Sequence, residues 1–202
     1  MRQIFGLVGP IASGKGSVGQ ILKELGYEYY SLSDVIREEL KKRGLPINRQ
    51  SLQDMGDELR KEFGDGVLAI RTGERVDVSS QTKVVIDSIR NPAEIELLRS
   101  HLGAIIIGVT ASPEARFKRV VARAREGEPK SWEDFLAMDR RETEKCSDSS
   151  KINVTGCLEM ANYVITNEGT ADDLMDNLRK ILKETLGATK EGSRRRRGSE
   201  RR

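Results

Sequence analysis

Residues 9–17, Gly-Pro-Ile-Ala-Ser-Gly-Lys-Gly-Ser, constrain the fold of this chain more than any other stretch. An apolar run, Ile4–Val8, precedes them, and a helical pattern from Val18 to Leu25 follows. A Gly-x4-Gly-Lys spacing between a strand and a helix predicts a phosphate-binding loop, because the glycines let backbone N–H groups point inward and the helix N-terminus favours anions. A glycine-rich turn without a ligand is the alternative.

The whole loop is expected to contact a nucleoside triphosphate or a similar phosphate. Lys15 supplies a mobile charge for the β- and γ-phosphates. Glycine follows this lysine, so the hydroxyl of the strict pattern comes one place later, at Ser17. The predicted nucleotide-binding positions are Gly9, Ile11, Ala12, Ser13, Gly14, Lys15, Gly16 and Ser17.

Length and composition indicate one globular domain, predicted to span residues 1–187. The chain has 202 residues, of which 37% are hydrophobic and 33% charged, a balance typical of a helix-rich soluble protein. No apolar stretch approaches the roughly 20 residues that cross a bilayer, so no membrane contact is expected. Two cysteines and one histidine are too few for a structural zinc site, and a reducing cytoplasm is the expected location.

The net charge of +3 comes from the C-terminal end. Residues 190–202 contain seven basic and two acidic residues, so the rest of the chain is slightly acidic. We expect residues 188–202 to be a disordered basic tail. Such a tail could contact nucleic acid or another polyanion weakly, or have no role.

Five short apolar runs predict strands, and helical patterns separate them. The predicted strands are Ile4–Val8, Tyr27–Ser31, Lys83–Asp87, Ala104–Val109 and Tyr163–Asn167. The predicted helices begin near Gly14, Asp34, Asn48, Val67, Pro92, Ser112, Trp132 and Asp172, and the last ends near Leu186. This alternation predicts an α/β fold with a parallel sheet that helices cover on both faces.

Ligands of such sheets bind at the carboxyl ends of the strands. Asp87 ends an apolar strand, where a carboxylate needs a partner, and we predict that Asp87 and Ser17 hold Mg²⁺. A helix cap or an ion pair with Arg90 is the alternative for Asp87. Asp34 and Arg37 follow the second strand one helical turn apart, which in isolation favours a simple ion pair between them.

A series of arginines predicts a short mobile lid over about residues 124–142. Three of them share one side of a predicted helix, and three more flank the polar break that follows it. The guanidinium fork binds phosphate oxygens bidentately, which suits a lid that closes over phosphates. A solvated basic face is the alternative. The six residues are Arg116, Arg119, Arg123, Arg125, Arg140 and Arg141.

Three stretches of the chain resemble the nucleoside monophosphate kinase branch of the P-loop kinases, of which adenylate kinase is the best-known member. They are Gly9–Ser17, Ser33–Arg37 and Arg119–Arg123. Glycine directly after the lysine is also a mark of that branch. The resemblance implies a three-layer P-loop NTPase fold with monophosphate-binding helices and a lid. It also implies ATP and Mg²⁺ as cofactors and an acceptor phosphate held by Arg37.

The overall resemblance, over roughly residues 1–186, is to the kinase-like domain found alone or fused ahead of deoxycytidylate deaminases, and to archaeal adenylate-kinase-like proteins. Val85–Pro92 and Ala161–Gly169 carry it, and the second segment also resembles dephospho-coenzyme A kinases. Adenylate kinases have Asp-Gly-Phe-Pro-Arg where this chain has Asp87–Pro92, so the second acceptor-phosphate arginine, Arg90, is displaced by one residue. No deaminase signature is present.

These observations lead to the hypothesis of ATP-dependent phosphoryl transfer to a nucleoside or deoxynucleoside monophosphate. The expected catalytic residues are Lys15, Asp87, Arg119, Arg123 and Arg140, and the expected acceptor-binding residues are Asp34, Arg37 and Arg90. One alternative is dephospho-coenzyme A kinase, for which Asp34 is the candidate base. Another is a nucleotide-sensing module without transfer activity. Further candidates for contacts with the acceptor are Gln53, Asp54 and Asp57.

Overall fold

The computed structural model describes residues 2–124, 127–144 and 148–199, with side chains up to residue 186. Its strands form a five-stranded parallel sheet in the order β2-β3-β1-β4-β5. The predicted α/β fold with a parallel sheet is therefore confirmed. The strands are β1 Gln3–Val8, β2 Glu28–Ser31, β3 Lys83–Ile89, β4 Ile105–Thr110 and β5 Tyr163–Thr166.

All the predicted helices are present, and one short helix was not predicted. This helix, α8, has six residues that include Gly156, which is too short for an apolar period to show in the sequence. The helices are α1 Lys15–Glu24, α2 Leu32–Lys42, α3 Arg49–Phe63, α4 Val67–Val78, α5 Pro92–Leu102, α6 Pro113–Arg123, α7 Trp132–Thr143, α8 Val154–Glu159 and α9 Ala171–Ser199.

The central strands are buried on both faces, as is typical of a parallel sheet. On one face, Ile4, Ile86 and Ile106 share a core with apolar side chains of α2, α3, α4 and α5. On the other face, α1 packs so closely that a Cβ on Gly19 would lie 2.9 Å from the Tyr29 ring and 3.6 Å from Leu7. The result is a layered α/β structure with the sheet in the middle.

The carboxyl end of β3 contains a bulge. β1 and β3 pair in register up to Gly6 and Ile86, after which Val8 lies opposite Ile89, so β3 has one extra residue. Ser88 has φ +67, a left-handed conformation that is rare for a residue other than glycine. Bulges of this kind redirect the side chains that follow, and this one precedes Arg90.

From Gly169 onward, the described residues form a separate unit. At its start the Asp173 carboxylate accepts hydrogen bonds from the backbone N–H and the hydroxyl of Thr170, both at 2.8 Å. The backbone of α9 remains helical to Ser199, although the sequence predicted an end near Leu186 and a disordered tail beyond it. Extending an existing helix costs less than starting one, and arginine favours helix. No described helix combines the length and hydropathy that crossing a membrane requires.

Candidate active site

The loop between β1 and α1 has the backbone conformation that its glycines predict. Gly9 and Gly14 have φ values of +153 and +112, and Ala12 is left-handed at +57. A Cβ at Gly9 would lie 2.0 Å from the carbonyl oxygen of Val109, so a larger residue would have to displace β4. The loop therefore lies tightly against the sheet and leads directly into the N-terminus of α1, where anions are favoured.

Lys15, the first residue of α1, spans this loop. Its ammonium group donates to the carbonyl oxygens of Gly9 at 2.5 Å and Pro10 at 2.8 Å. Burial lowers the pKa of Lys15 to about 8; Asp87 opposes this shift and Arg90 adds to it. A partly charged lysine in this position can exchange carbonyl oxygens for phosphate oxygens and become fully charged when it does so.

Two side chains from outside the loop donate hydrogen bonds to its backbone. Asn167, after β5, donates from Nδ2 to the carbonyl oxygen of Ser13 at 2.9 Å. Arg119 on α6 donates to the carbonyl oxygens of Asn167 at 2.6 Å and Ala12 at 3.3 Å. Arg119 was expected to close over the transferring phosphoryl group, but its described contacts are with backbone carbonyls of the loop and of the segment after β5.

A cavity of about 530 Å³ opens beside Lys15, and its charged lining is mainly cationic. The cations come from the loop, from α2 and α3, from the segment after β3, and from the end of α6. A surface of this composition attracts anions and concentrates them near the phosphate loop. The charged residues are Lys15, Arg37, Arg49, Arg60, Arg90 and Arg123, with Glu128 and Glu142 as the anions.

Glu142, near the end of α7, joins two of these arginines. Its Oε1 lies 2.8 Å from Nη1 of Arg90 and also contacts Arg49. The Glu142 side chain is 1% exposed, whereas those of Arg49 and Arg90 are 26% and 24% exposed. The carboxylate is thus buried, while both arginine side chains keep some accessible surface.

Burial alone would raise the pKa of Glu142, but the charges of Arg90, Arg49 and Lys15 outweigh it and lower the pKa to about 2. Glu142 is therefore ionised at neutral pH. One carboxylate faces two guanidinium groups and an ammonium group, so positive charge remains in excess. Such an excess suits a ligand that carries more than one negative charge.

The Asp87 carboxylate is buried and accepts two hydrogen bonds, from the Tyr29 hydroxyl and from the N–H of Ser88, both at 2.6 Å. Burial and the adjacent carboxylate raise the pKa of Tyr29 well above its usual range, so it remains a donor. Arg90 forms its ion pair with Glu142, while the charge of Asp87 also contributes to the raised pKa of Arg90.

These residues fit the predicted magnesium ion. Each Asp87 oxygen accepts one hydrogen bond and keeps further lone pairs, and the Ser17 hydroxyl is exposed in the first turn of α1. Within the described residues, no group of three or more histidine, cysteine or acidic side chains could hold a metal by itself. Mg²⁺ is typically held by one or two carboxylates together with phosphates and water.

The remaining predicted site residues differ in whether they line the cavity. Arg37 lines the cavity and forms an ion pair of 2.8 Å with Asp34, so both the functional and the simpler interpretation apply to it. Arg123 also lines the cavity and pairs with Glu128. Arg140 is exposed and is not among the residues that line the cavity. Arg125 lies outside the described residues.

The helical part of the predicted lid is fixed to α6. Arg116 forms a bidentate ion pair with Asp139 on α7, at 2.5 and 2.7 Å, and both residues are buried. Phe135 stacks with Trp132 and packs with Ile11 of the phosphate loop in a small apolar cluster. Breaking a buried ion pair costs several kcal/mol, so α7 is anchored beside the loop.

Sequence reasoning did not single out Arg49, Arg60 or Glu142 as site residues. One signal for Glu142 exists in the sequence: it stands two helical turns after the buried Phe135 and therefore on the same face of α7. A charged residue on the buried face of a helix requires a partner, and Arg49 and Arg90 are that partner here.

The fold and this loop define a P-loop protein with a kinase-like, nucleotide-binding architecture. Residues 8–135 match the family model described as AAA domain, and the chain belongs to that family. It is 32% identical to the UPF0200 protein PH1008 of Pyrococcus horikoshii, over 89% of this chain and 96% of the relative, and is thus a member of the UPF0200 family.

Solved structures show the same fold at lower sequence identity. TT1252 from Thermus thermophilus superimposes with a TM-score of 0.60 at 22% identity, covering 91% of this chain and 97% of that one. Shikimate kinase from Acinetobacter baumannii gives a TM-score of 0.55 at 21% identity, covering 93% and 95%. This similarity establishes a P-loop kinase-like fold.

Proposed function

We propose that this protein is a cytoplasmic, Mg²⁺-dependent kinase that transfers the γ-phosphoryl group of ATP to a nucleoside or deoxynucleoside monophosphate. The observation that carries this proposal is the second anion site beside the phosphate loop. Arg49 and Arg90 have partly exposed side chains in a cavity that Lys15 also lines. A donor phosphate on the loop and an acceptor phosphate on these arginines would be neighbours.

The chemistry asks little of the protein beyond position and charge. An oxygen of the acceptor phosphate attacks the γ-phosphorus, the bond from that phosphorus to the β-phosphate oxygen breaks, and ADP leaves. The acceptor phosphate is ionised at neutral pH, so no general base is required. Mg²⁺ bound near Asp87 and Ser17 would neutralise charge on the donor phosphates. Lys15 holds the donor, while Arg90, Arg49 and Arg37 hold the acceptor.

A hydroxyl acceptor is the second candidate, and two observations favour it. One is the structural similarity to shikimate kinase. The other is Asp87, a buried carboxylate close to Lys15 that could accept a hydroxyl proton. For dephospho-coenzyme A kinase, however, the candidate base Asp34 is half exposed and paired with Arg37. The excess of arginines supports a phosphorylated acceptor over a neutral sugar.

ADP release from ATP and Mg²⁺ tests the proposal. The panel contains nucleoside and deoxynucleoside monophosphates, dephospho-coenzyme A and shikimate, and the Lys15→Ala variant serves as the inactive control. Stimulation by one monophosphate, lost in the variant, would support the proposal and identify the acceptor. Stimulation by a non-nucleotide alone would favour the second candidate. ATP binding with no stimulation would favour a nucleotide sensor.

A further inference from the structure

Ser88 keeps a side chain at a backbone position that favours glycine. It lies in the bulge of β3, and its φ of +67 is in the left-handed region, where a Cβ crowds the following carbonyl oxygen. Glycine adopts this conformation without that cost. Strained residues of this kind persist where the surrounding structure holds them, and they concentrate at functional sites. The surroundings of the Ser88 side chain therefore indicate what it could be used for.

Ser88 is half-buried and lines the cavity that Lys15 also lines. It stands between two residues that the proposed function uses. Asp87 comes directly before it, and Arg90, which also lines the cavity, comes two positions after it. The Ser88 hydroxyl is thus an uncharged polar group in a mainly cationic cavity, close in sequence to the arginine proposed to hold the acceptor phosphate.

The hydroxyl of Ser31 contacts Ser88 instead of capping its own helix. Ser31 occupies the N-cap position of α2, where serine commonly accepts a backbone N–H, yet its side chain makes no such bond. Ser31 is buried, and its Oγ donates to Oγ of Ser88 at 3.0 Å. A pair of hydroxyl groups therefore joins the end of β2 to the bulge of β3.

One hydrogen of this hydroxyl pair remains to be donated. The two groups have two hydrogens, of which one lies in the bond between them, and among the residues that the structure describes none accepts the other. A buried hydroxyl without a partner is costly, whereas one that faces a cavity can reach a ligand or water. Ser31 therefore donates to Ser88, and the hydrogen of Ser88 is the one available to a ligand.

We propose that the Ser88 hydroxyl donates this hydrogen to an oxygen of the acceptor phosphate, and that Ser31 is the positioning residue that orients it. The inference rests on the proposed function, since it assumes a phosphorylated acceptor. A phosphate has three strong acceptor oxygens, so Arg90 and Ser88 can bind the same group. An uncharged donor adds a hydrogen bond without adding to the repulsion among Lys15, Arg49 and Arg90, which gives a reason to keep a side chain at a strained position.

Two substitutions of Ser88 separate the hydroxyl from the strain. Ser88→Ala removes the hydroxyl and keeps the strain, whereas Ser88→Gly removes both, so Ser88→Gly should unfold at the higher urea concentration of the two. In both variants we expect the KM for the best nucleoside monophosphate to rise about tenfold or more, as for a lost hydrogen bond to a charged group. ATP affinity should stay within about twofold.

Inorganic phosphate tests which part of the acceptor Ser88 contacts. At saturating ATP it should compete with the acceptor, and it has neither sugar nor base. Its inhibition constant should therefore rise by the same factor as the monophosphate KM. Ser31→Ala should give a smaller loss than Ser88→Ala, and the double variant should lose no more than Ser88→Ala, because the two hydroxyls act as one unit. Additive losses would overturn the positioning role of Ser31.

Ser100→Ala is the matched control, because this exposed hydroxyl contacts a carbonyl oxygen of its own helix, α5, and does not line the cavity. It should leave all of these values unchanged. A KM in Ser88→Gly equal to that of the unmodified protein would show that the hydroxyl is not used. That result, or unchanged inhibition by phosphate in both Ser88 variants, would overturn the role of Ser88 and leave the proposed function standing. If the unmodified protein shows no ADP release that depends on a monophosphate, the proposed function itself fails, and this inference fails with it.

Discussion

Glu142 and Arg90 lie 2.8 Å apart and connect α7 to the segment that follows β3. The contact joins the helix that was predicted as a lid to the arginine that was predicted to hold the acceptor phosphate. Arg49, at the start of α3, contacts the same carboxylate oxygen. Three separate parts of the chain are therefore positioned by one buried negative charge, which gives the site its arrangement of cations.

Replacing Glu142 by glutamine should destabilise the protein and increase its dependence on anions. Without the carboxylate, Arg49, Arg90 and Lys15 repel one another in a partly buried site, and we expect a loss of about 3 kcal/mol in the free energy of unfolding. Urea denaturation measures this loss. Added inorganic phosphate should stabilise Glu142→Gln more than the unmodified protein. The exposed neighbour Glu144→Gln is the control, and equal losses in both variants would contradict the account.

The same residue predicts how stability depends on acid. The pKa of Glu142 is lowered from 4.5 to about 2, so its contribution is complete above pH 4.5 and is lost as the pH falls toward 2. This shift corresponds to about 3 kcal/mol. Between pH 5 and 2, the free energy of unfolding should depend less on pH in Glu142→Gln than in the unmodified protein. Urea denaturation at a series of pH values measures this dependence. Identical pH dependence in the two proteins would show that the neighbouring cations do not lower the pKa of Glu142.

Lys15 should titrate near pH 8, well below an ordinary lysine, because burial disfavours its charged form. ATP affinity should therefore fall as the pH rises above about 8, and bound ATP should raise the pKa of Lys15. Reductive ¹³C-methylation followed by an NMR titration measures the value directly, with Lys15→Ala to assign the signal. A titration near 10.5, independent of ATP, would exclude this effect.

Removing the Arg90 guanidinium should lower kcat/KM for the acceptor more than it lowers the affinity for ATP. For Arg90→Ala we expect kcat/KM for the acceptor to fall about tenfold to a thousandfold, on the scale of charged contacts in transition states. ATP affinity should remain within about threefold. Steady-state kinetics with each substrate varied separate the two effects. Arg179→Ala, an exposed arginine on α9, is the control, and equal losses for both substrates would argue against an acceptor site.

Much of the fold could be read from local patterns. The phosphate loop, the parallel sheet and the position of Arg90 directly after β3 follow from spacing and from the alternation of strands and helices. Asp87, predicted as the last residue of its strand, instead lies two residues before the end of β3. These features depend on residues that are close together in the sequence, so local sequence patterns are enough to predict them. The helix α8 is too short to carry a pattern, and the continuation of α9 was obscured by a composition typical of disorder.

The connections of the site could not be predicted in the same way. Glu142 meets Arg49 across 93 positions of the chain, and Arg60 meets Glu94 across 34. Such pairs depend on how helices pack, which no periodicity encodes. For the same reason the sequence assigned Arg119 to the phosphoryl group, whereas in the structure it donates to backbone carbonyls of Ala12 in the loop and of Asn167 after β5.

The kind of bond that the transferred phosphoryl group forms with the acceptor tests the central claim most directly. ³¹P NMR of a reaction with ATP, Mg²⁺ and the acceptor that most stimulates ADP release shows what kind of phosphate forms. We expect a new diphosphate, with P–O–P coupling on the acceptor, because the arginines beside Lys15 hold an acceptor phosphate. A new uncoupled phosphate monoester would show transfer to a hydroxyl group and would contradict the account.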